Sequence, residues 1–324
     1  MASSTAAAVA AVALVTAVAC SSGSGPTPAA PRASQSASVS PSGPSSATAT
    51  SSATAVAGTL VVAVGDIACP PDAKVGAECR HAETARLTQG LDPAAVLALG
   101  DLVYPGGSAT GFEDAWAPTW GKLRSRTYPA VGNHEYASPG ADAYFRYWGA
   151  RAGPGWYSVD VAGWHLVSLN ANCATVGCDP ASPQGRWLAA DLRANRTRCT
   201  IAFWHQARWS SGLHGSDAST QPLWAAAQSA GVDVVLAAHD HHYERFAPLS
   251  LDGRPVSASR GTRAFVVGTG GRSLYPLIRD PAGSEKRVAT AYGVLALRLQ
   301  PAAYTWEFVA VDGRVLDSGS GTCR

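Results

Sequence analysis

From residue 58 onward, short continuous apolar runs alternate with longer amphipathic stretches and Gly/Pro turns, which is the pattern of a layered sheet-and-helix domain. The segments 59–64, 94–99, 127–131, 200–204 and 232–237 are apolar and of strand length, as suits strands buried on both faces. Between them, 81–90 and 184–195 carry Ala, Leu, Arg and Glu at helical spacing, and 221–230 is a third helix stopped by Gly231. The segments 156–160, 164–169, 264–267, 293–299 and 305–311 add further strands, several of them alternating, so two sheets are expected. With no internal repeat and no second break in composition, 58–324 reads as one domain.

Composition sets the first 57 residues apart, because Ala, Ser, Thr, Pro, Val and Gly dominate there and Arg32 is the only charge. The apolar run 6–19 is too short to span a bilayer, which takes about 20 residues. It reads as the hydrophobic part of a secretory signal covering 1–20. Ala17, Val18 and Ala19 precede Cys20, and Ser21, Ser22 and Gly23 follow it. This resembles the lipid-attachment site of bacterial lipoproteins and implies a lipidated Cys20 holding the chain to a membrane. Ala17 stands where Leu is usual, so cleavage and release is the alternative. Residues 21–57 have too few large apolar groups to offset the entropy of ordering and read as a disordered, solvated linker.

Setting Cys20 aside leaves Cys69, Cys79, Cys173, Cys178, Cys199 and Cys323, an even number in a chain expected to be exported, and hence three disulfides. Many pairings are open. The expectation here is two local loops, Cys69 with Cys79 and Cys173 with Cys178, and one long staple, Cys199 with Cys323. A zinc cluster would need short paired spacings that these cysteines lack. The net charge of +2 favours no partner class, and the sequence has no basic stripe of the kind a nucleic-acid surface needs.

The chemistry lies just past the end of each of the five apolar runs. Asp66 comes after the first, Asp101 and Tyr104 after the second, Asn133 and His134 after the third, His205 after the fourth, and His239 with His241 after the fifth. In open sheet-and-helix folds, ligands gather beyond the carboxyl ends of strands, so these side chains are expected in one crevice. Leaving His134 aside, two carboxylates, a phenol, an amide oxygen and three imidazoles, without thiolate, suit iron, zinc or manganese. Seven donors exceed the needs of one tetrahedral ion and serve two if a carboxylate bridges them.

Gly65-Asp66, Gly100-Asp101-Leu102-Val103-Tyr104, Gly132-Asn133-His134-Glu135, His205 and His239-Asp240-His241 resemble, in order, the motifs of purple acid phosphatases, a branch of the calcineurin-like metallophosphoesterases. The resemblance implies a four-layer α/β sandwich of two mixed β-sheets flanked by helices. It implies two metal ions bridged by Asp101, with Asp66, Tyr104 and His241 completing one site and Asn133, His205 and His239 the other. The first set collects hard anionic donors that suit Fe(III), and the second suits a divalent ion, so Fe(III) with Zn(II), Mn(II) or Fe(II) would fit. Ala68 stands where many relatives have a further His ligand, and Tyr104 takes its place. Ala238 stands where the family has Gly, which raises the expectation that the turn there needs a conformation glycine tolerates best.

His134, beside Asn133, and His214, nine positions after His205, match substrate-facing histidines that would neutralise phosphoryl oxygens or protonate the departing alkoxide. His165 and His81 read as structural, and Tyr243-Glu244-Arg245 as an ion pair behind the site. Trp209, Arg208 and Tyr136 are candidates for the pocket wall. The resulting expectation is a metal-dependent hydrolase of small phosphate monoesters in which hydroxide held by the ions attacks phosphorus in line. The alternatives are a phosphodiesterase or nucleotidase built on the same residues, and a surface lipoprotein that kept the fold without turnover.

Overall fold

The computed structural model describes residues 58–73, 76 and 78–324; the expected signal and linker lie outside the described residues. In chain order the strands are β1 (Thr59–Val64), β2 (Ala95–Leu99), β3 (Thr127–Ala130), β4 (Tyr157–Val161), β5 (Trp164–Ser168), β6 (Cys199–Gln206) and β7 (Val234–Ala238). Then come β8 (Tyr243–Leu249), β9 (Thr262–Val267), β10 (Ser284–Val288), β11 (Gly293–Leu299), β12 (Ala303–Ala310) and β13 (Val315–Thr322). One sheet has the order β13-β12-β11-β1-β2-β3 and the other β10-β8-β9-β7-β6-β5-β4. Both are mixed: β1, β2 and β3 are parallel while β11 joins β1 antiparallel, and β5, β6, β7 and β9 are parallel while β4 and β8 are antiparallel to their neighbours.

Alternation within the buried strands sorts side chains into layers. On β6 and β7, Ile201, Phe203, Val234 and Leu236 join Val61, Leu97 and Leu297 in the core between the sheets, while Ala202, Trp204, Val235 and Ala237 face the other way. That outer face is covered by Leu188 of α3 (Pro183–Ala194) and by Leu223, Trp224 and Ala227 of α4 (Gln221–Ser229). Ala85 of α1 (His81–Leu91) and Tyr144 and Trp148 of α2 (Asp142–Trp148) cover the first sheet. Each fully buried Phe or Leu stabilises the sandwich by about 1.5–3 kcal/mol. The start of α3 is set locally, since Ser182 Oγ accepts the Gly185 amide at 3.0 Å and Pro183 opens the first turn.

The four-layer expectation holds, and the three expected disulfides are those of the structure. The long staple ties β13's end to the start of β6. Three strands escaped the pattern reading. β10 is a charged edge whose residues alternate between part-buried and exposed, and β8 has a register shift between Arg245 and Pro248. β13 contains two glycines whose faces are roofed by Trp306 and Tyr304 of β12; an added Cβ would come within 2.3 Å of Trp306 at Gly319 and 2.5 Å of Tyr304 at Gly321. Aromatic cover of this kind lets a Gly/Ser segment hold an edge position.

Candidate metal centre

Five strand ends converge. Asp66 follows β1, Asp101 and Tyr104 follow β2, Asn133 and His134 follow β3, His205 is next to last in β6, and His239 and His241 follow β7. The sheets meet here, because His205 Nδ1–H donates to the Leu99 carbonyl at 2.8 Å. Asp66, Asp101 and His239 leave their strands with φ of 58°, 48° and 73°, the left-handed region that costs an L-residue roughly 1–2 kcal/mol. Strain of this kind persists only where the surroundings over-determine it, typically at functional sites.

Two groups of donors result. Tyr104 Oη lies 2.8 Å from Asp66 Oδ1, 3.1 Å from Asp101 Oδ2 and 3.1 Å from His241 Nε2. His205 Nε2 lies 3.1 Å from Asn133 Oδ1, 3.1 Å from Asp101 Oδ2 and 3.2 Å from His239 Nδ1. One atom, Asp101 Oδ2, belongs to both. Asp66, Asp101 and His205 are at most 1% exposed.

Backbone contacts decide which ring nitrogens face the crevice. His205 Nδ1–H is held by Leu99 O, and His241 Nδ1–H by Ser273 O at 2.6 Å, so each neutral ring turns its Nε2 lone pair inward. At His205 that lone pair meets the Asn133 amide oxygen and the Asp101 carboxylate oxygen, both acceptors, with the Nδ1 edge of His239 beside them. Oxygen acceptors packed this closely around a lone pair repel unless a proton or a cation lies between them, and the mixed oxygen and nitrogen set fits metal ions. On the chain's own charges, burial opposes protonation of His205 but the Asp101 carboxylate outweighs it and raises its pKa to about 9. Burial and the neighbouring His205 push His239 down to about 4. Burial also opposes ionisation of Asp66 and Asp101, yet His241 and His205 respectively hold the two carboxyls below their usual range. Burial, Asp101 and Asp66 drive the Tyr104 phenol well above its ordinary value, so only a strongly polarising cation would make it a phenolate.

A further ring of contacts aims these donors. The His239 amide donates to Asp66 Oδ2 at 2.9 Å and the His134 amide to Asp101 Oδ1 at 2.8 Å. Fully buried Glu135 accepts from the amides of Asp101, Leu102 and Gly132 at 3.0, 2.8 and 2.7 Å, tying the second and third strand ends together. Fully buried Asp240 accepts from Ser210 Oγ and the amides of His214 and Gly215. Sequence reasoning missed both roles, although each residue lies inside a motif, where an acid among ligands is itself a signal. It also missed Tyr275, whose ring stacks on His241 at 3.9 Å.

The two expected substrate histidines border the centre. His134, 37% exposed, packs against the Tyr104 ring with Nε2 3.8 Å from Asp101 Oδ2. His214 is exposed and stacks on His239 at 4.2 Å. His165 is structural, between Asp160 and Asp191, and His81 caps a packing contact by accepting Trp120 Nε1–H on its carbonyl. Glu244 bonds His242 and Arg245 pairs with Asp317, both away from the donors. Arg208 lies over Trp209 and bonds Gln221, Trp209 packs on Trp224, and Tyr136 Oη accepts from Asn170, contacts that involve no donor of the centre.

One expectation is corrected. The left-handed conformation falls at His239, while Ala238 remains in β7. Ala238 is accommodated by Gly65 opposite, where a Cβ would approach the Ala238 methyl to 2.5 Å.

The sequence model of the family described as Calcineurin-like phosphoesterase matches residues 59–243, a span containing all seven donors. The chain belongs to this family. Mouse acid phosphatase type 7 is 30% identical to this phosphoesterase-family chain over 186 residues, 46% of this chain and 41% of its own length. Purple acid phosphatase 21 of Arabidopsis thaliana is 36% identical over 101 residues, 29% of this chain and 22% of its own. The match thus spans less than half of these curated relatives. Among solved structures, a purple acid phosphatase from yellow lupin (Lupinus luteus) seeds shares the fold with a TM-score of 0.65 at 20% identity, covering 82% of this chain and 54% of that one.

Proposed function

We propose that this phosphoesterase-family chain hydrolyses phosphate monoesters with two cations sharing Asp101, one held also by Asp66, Tyr104 and His241, the other by Asn133, His205 and His239. The observation that carries the reading is Asp101 Oδ2, 3.1 Å from both Tyr104 Oη and His205 Nε2. The names of the mouse, Arabidopsis and lupin relatives support the ester class. When bound, the cations would polarise phosphoryl oxygens and lower the pKa of water so that hydroxide is present near neutral pH.

The protein's own groups supply the rest. His134 donates Nδ1–H to Pro105 O, which leaves its partly exposed Nε2 edge to contact a phosphoryl oxygen. His214, stacked on His239, would give a proton to the leaving oxygen as the P–O bond breaks and its electron pair departs. General acid assistance of this kind contributes roughly 100- to 10,000-fold. In-line attack by water inverts phosphorus, and retention in a chiral-phosphate assay would contradict the route.

The set of Asp66, Asp101 and Tyr104 suits Fe(III), and the other set Zn(II), Mn(II) or Fe(II). Metal analysis and the visible spectrum of the iron-loaded, oxidised protein, before and after Tyr104→Phe, test the assignment. Loss of a visible band with both metals retained is expected; a wild-type protein without such a band overturns the phenolate. Turnover of paired mono- and diesters should favour the monoester, and a diester preference would overturn that clause. Export of a 58–324 catalytic domain behind a signal and linker accords with the three disulfides, and fatty-acid labelling lost in Cys20→Ala tests lipidation.

A further inference from the structure

His214 sits on a loop whose backbone is gripped from two sides. From below, Asp240 takes Ser210 Oγ–H at 2.5 Å and the His214 and Gly215 amides at 2.8 and 2.9 Å. From above comes the segment 272–279, which lies outside the family match. The Ile278 and Arg279 amides donate to Ser211 O at 2.9 and 3.0 Å, and Arg279 Nη1 donates to Gly212 O at 2.5 Å and Leu213 O at 2.8 Å. The loop's glycines permit this. A Cβ at Gly212 would fall 2.3 Å from Asp240 Cγ, and one at Gly215, with φ of 77°, would fall 2.7 Å from Arg279 Nε. Any larger residue at either position would push one charged group off the loop.

The same segment is anchored on the metal centre itself. The Arg272 amide donates to Asp66 O at 3.1 Å, Ser273 O accepts from His241 Nδ1–H, and the Tyr275 amide donates to His241 O at 2.9 Å. The strap therefore measures the position of the His214 loop against two donor residues. Charge-assisted bonds such as those of Arg279 are about twice as strong as neutral ones. We infer that Arg279 is a positioning residue that fixes the His214 imidazole relative to the leaving oxygen, acting through the carbonyls of Gly212 and Leu213 without touching substrate. This rests on the proposed hydrolysis and on His214 as proton donor.

The test is a double-mutant cycle of Arg279→Ala and His214→Ala on the metal-loaded full chain, read as kcat for an alkyl and an aryl phosphate monoester. A proton donor matters most for the poorer alkyl leaving group. Arg279→Ala should therefore lower kcat for the alkyl ester about 10- to 100-fold, lower it less for the aryl ester, leave KM nearly unchanged, and add nothing in the His214→Ala background. Equal losses for both esters, or an undiminished loss without His214, overturns the inference. Amide hydrogen exchange of the metal-free chain supplies a second readout. Arg279→Ala should speed exchange at His214 and Gly215 while Phe203 in β6 stays protected, and unchanged loop exchange would overturn the grip. If the wild type hydrolyses neither ester, the functional reading fails while the exchange result still decides whether Arg279 holds the loop.

Discussion

At His165, on β5, each ring nitrogen meets one carboxylate oxygen at 2.8 Å, Nδ1 with Asp160 of β4 and Nε2 with Asp191 of α3. At His205, on the neighbouring strand, Nδ1–H is consumed by a backbone carbonyl, and Nε2 is left among Asp101 Oδ2, Asn133 Oδ1 and His239 Nδ1. Both rings are buried against aspartate, so nearness to a carboxylate does not separate a proposed ligand from a staple. What separates them is whether a ring lone pair is left over. His165 has two N–H groups and two acceptors, which are fully matched in the imidazolium. Neutral His205, its Nδ1–H committed to Leu99 O, has one spare lone pair facing the Asp101 and Asn133 oxygens, a conflict that a cation or a proton relieves.

The largest expected effect breaks the comparison at its shared atom. Asp101→Asn removes the charge common to both donor sets, so elemental analysis should show loss of bound metal, and turnover should fall by well over the roughly 100-fold typical of losing an outer contact. His165→Leu should leave metal content and kcat unchanged. If Asp101→Asn kept both ions, the two histidines would no longer differ in the way argued.

A smaller effect sharpens it. Glu135→Gln keeps the shape but weakens the hold on the Asp101 and Gly132 amides, so metal affinity should drop by about 10- to 100-fold in a competition titration with a chelator, with little change in the urea unfolding midpoint. No change in affinity would demote Glu135 to packing.

The smallest effect lies at the staple. His165→Leu leaves Asp191 with the Ser158 hydroxyl alone, at a cost of about 1–3 kcal/mol in urea unfolding near pH 6. Its pH dependence has a definite sign. Burial opposes the charge on His165, but Asp191 and Asp160 raise its pKa above 6.5, while the bonds from His165 and Ser158 lower Asp191 below 3.8 against its burial. The histidine's contribution is full below 6.5 and is lost as pH rises through its folded value; the aspartate's is full above 3.8 and is lost as pH falls through its own. The stability gap between wild type and His165→Leu should thus be widest between those values and narrow on the alkaline side. A gap that widens with rising pH would exclude the imidazolium staple.

Much of this was legible in the chain. The five apolar runs announce strands because each is buried on both faces, and the polar residue after each announces a strand end facing a crevice. Asp66, Asp101, Tyr104, Asn133, His205, His239 and His241 are found together for that reason. Glu135 and Asp240 were visible but not interpreted, since their partners are backbone amides that carry no residue signature. β13 was invisible because its stability resides in Trp306 and Tyr304 on another strand. Ala238 was misread because the left-handed turn falls one residue later, at His239.

The amino-acid order by itself determined ten of the thirteen described strands, the layered fold class and the family, because periodicity and motif spacing are local properties of the chain. Only the tertiary structure decided that one oxygen of Asp101 lies 3.1 Å from both Tyr104 Oη and His205 Nε2, that His165 is closed while His205 is open, and that Arg279 reaches back to the loop of His214. Most of these are distances of a few ångströms between residues tens to about a hundred positions apart, and no local pattern encodes them.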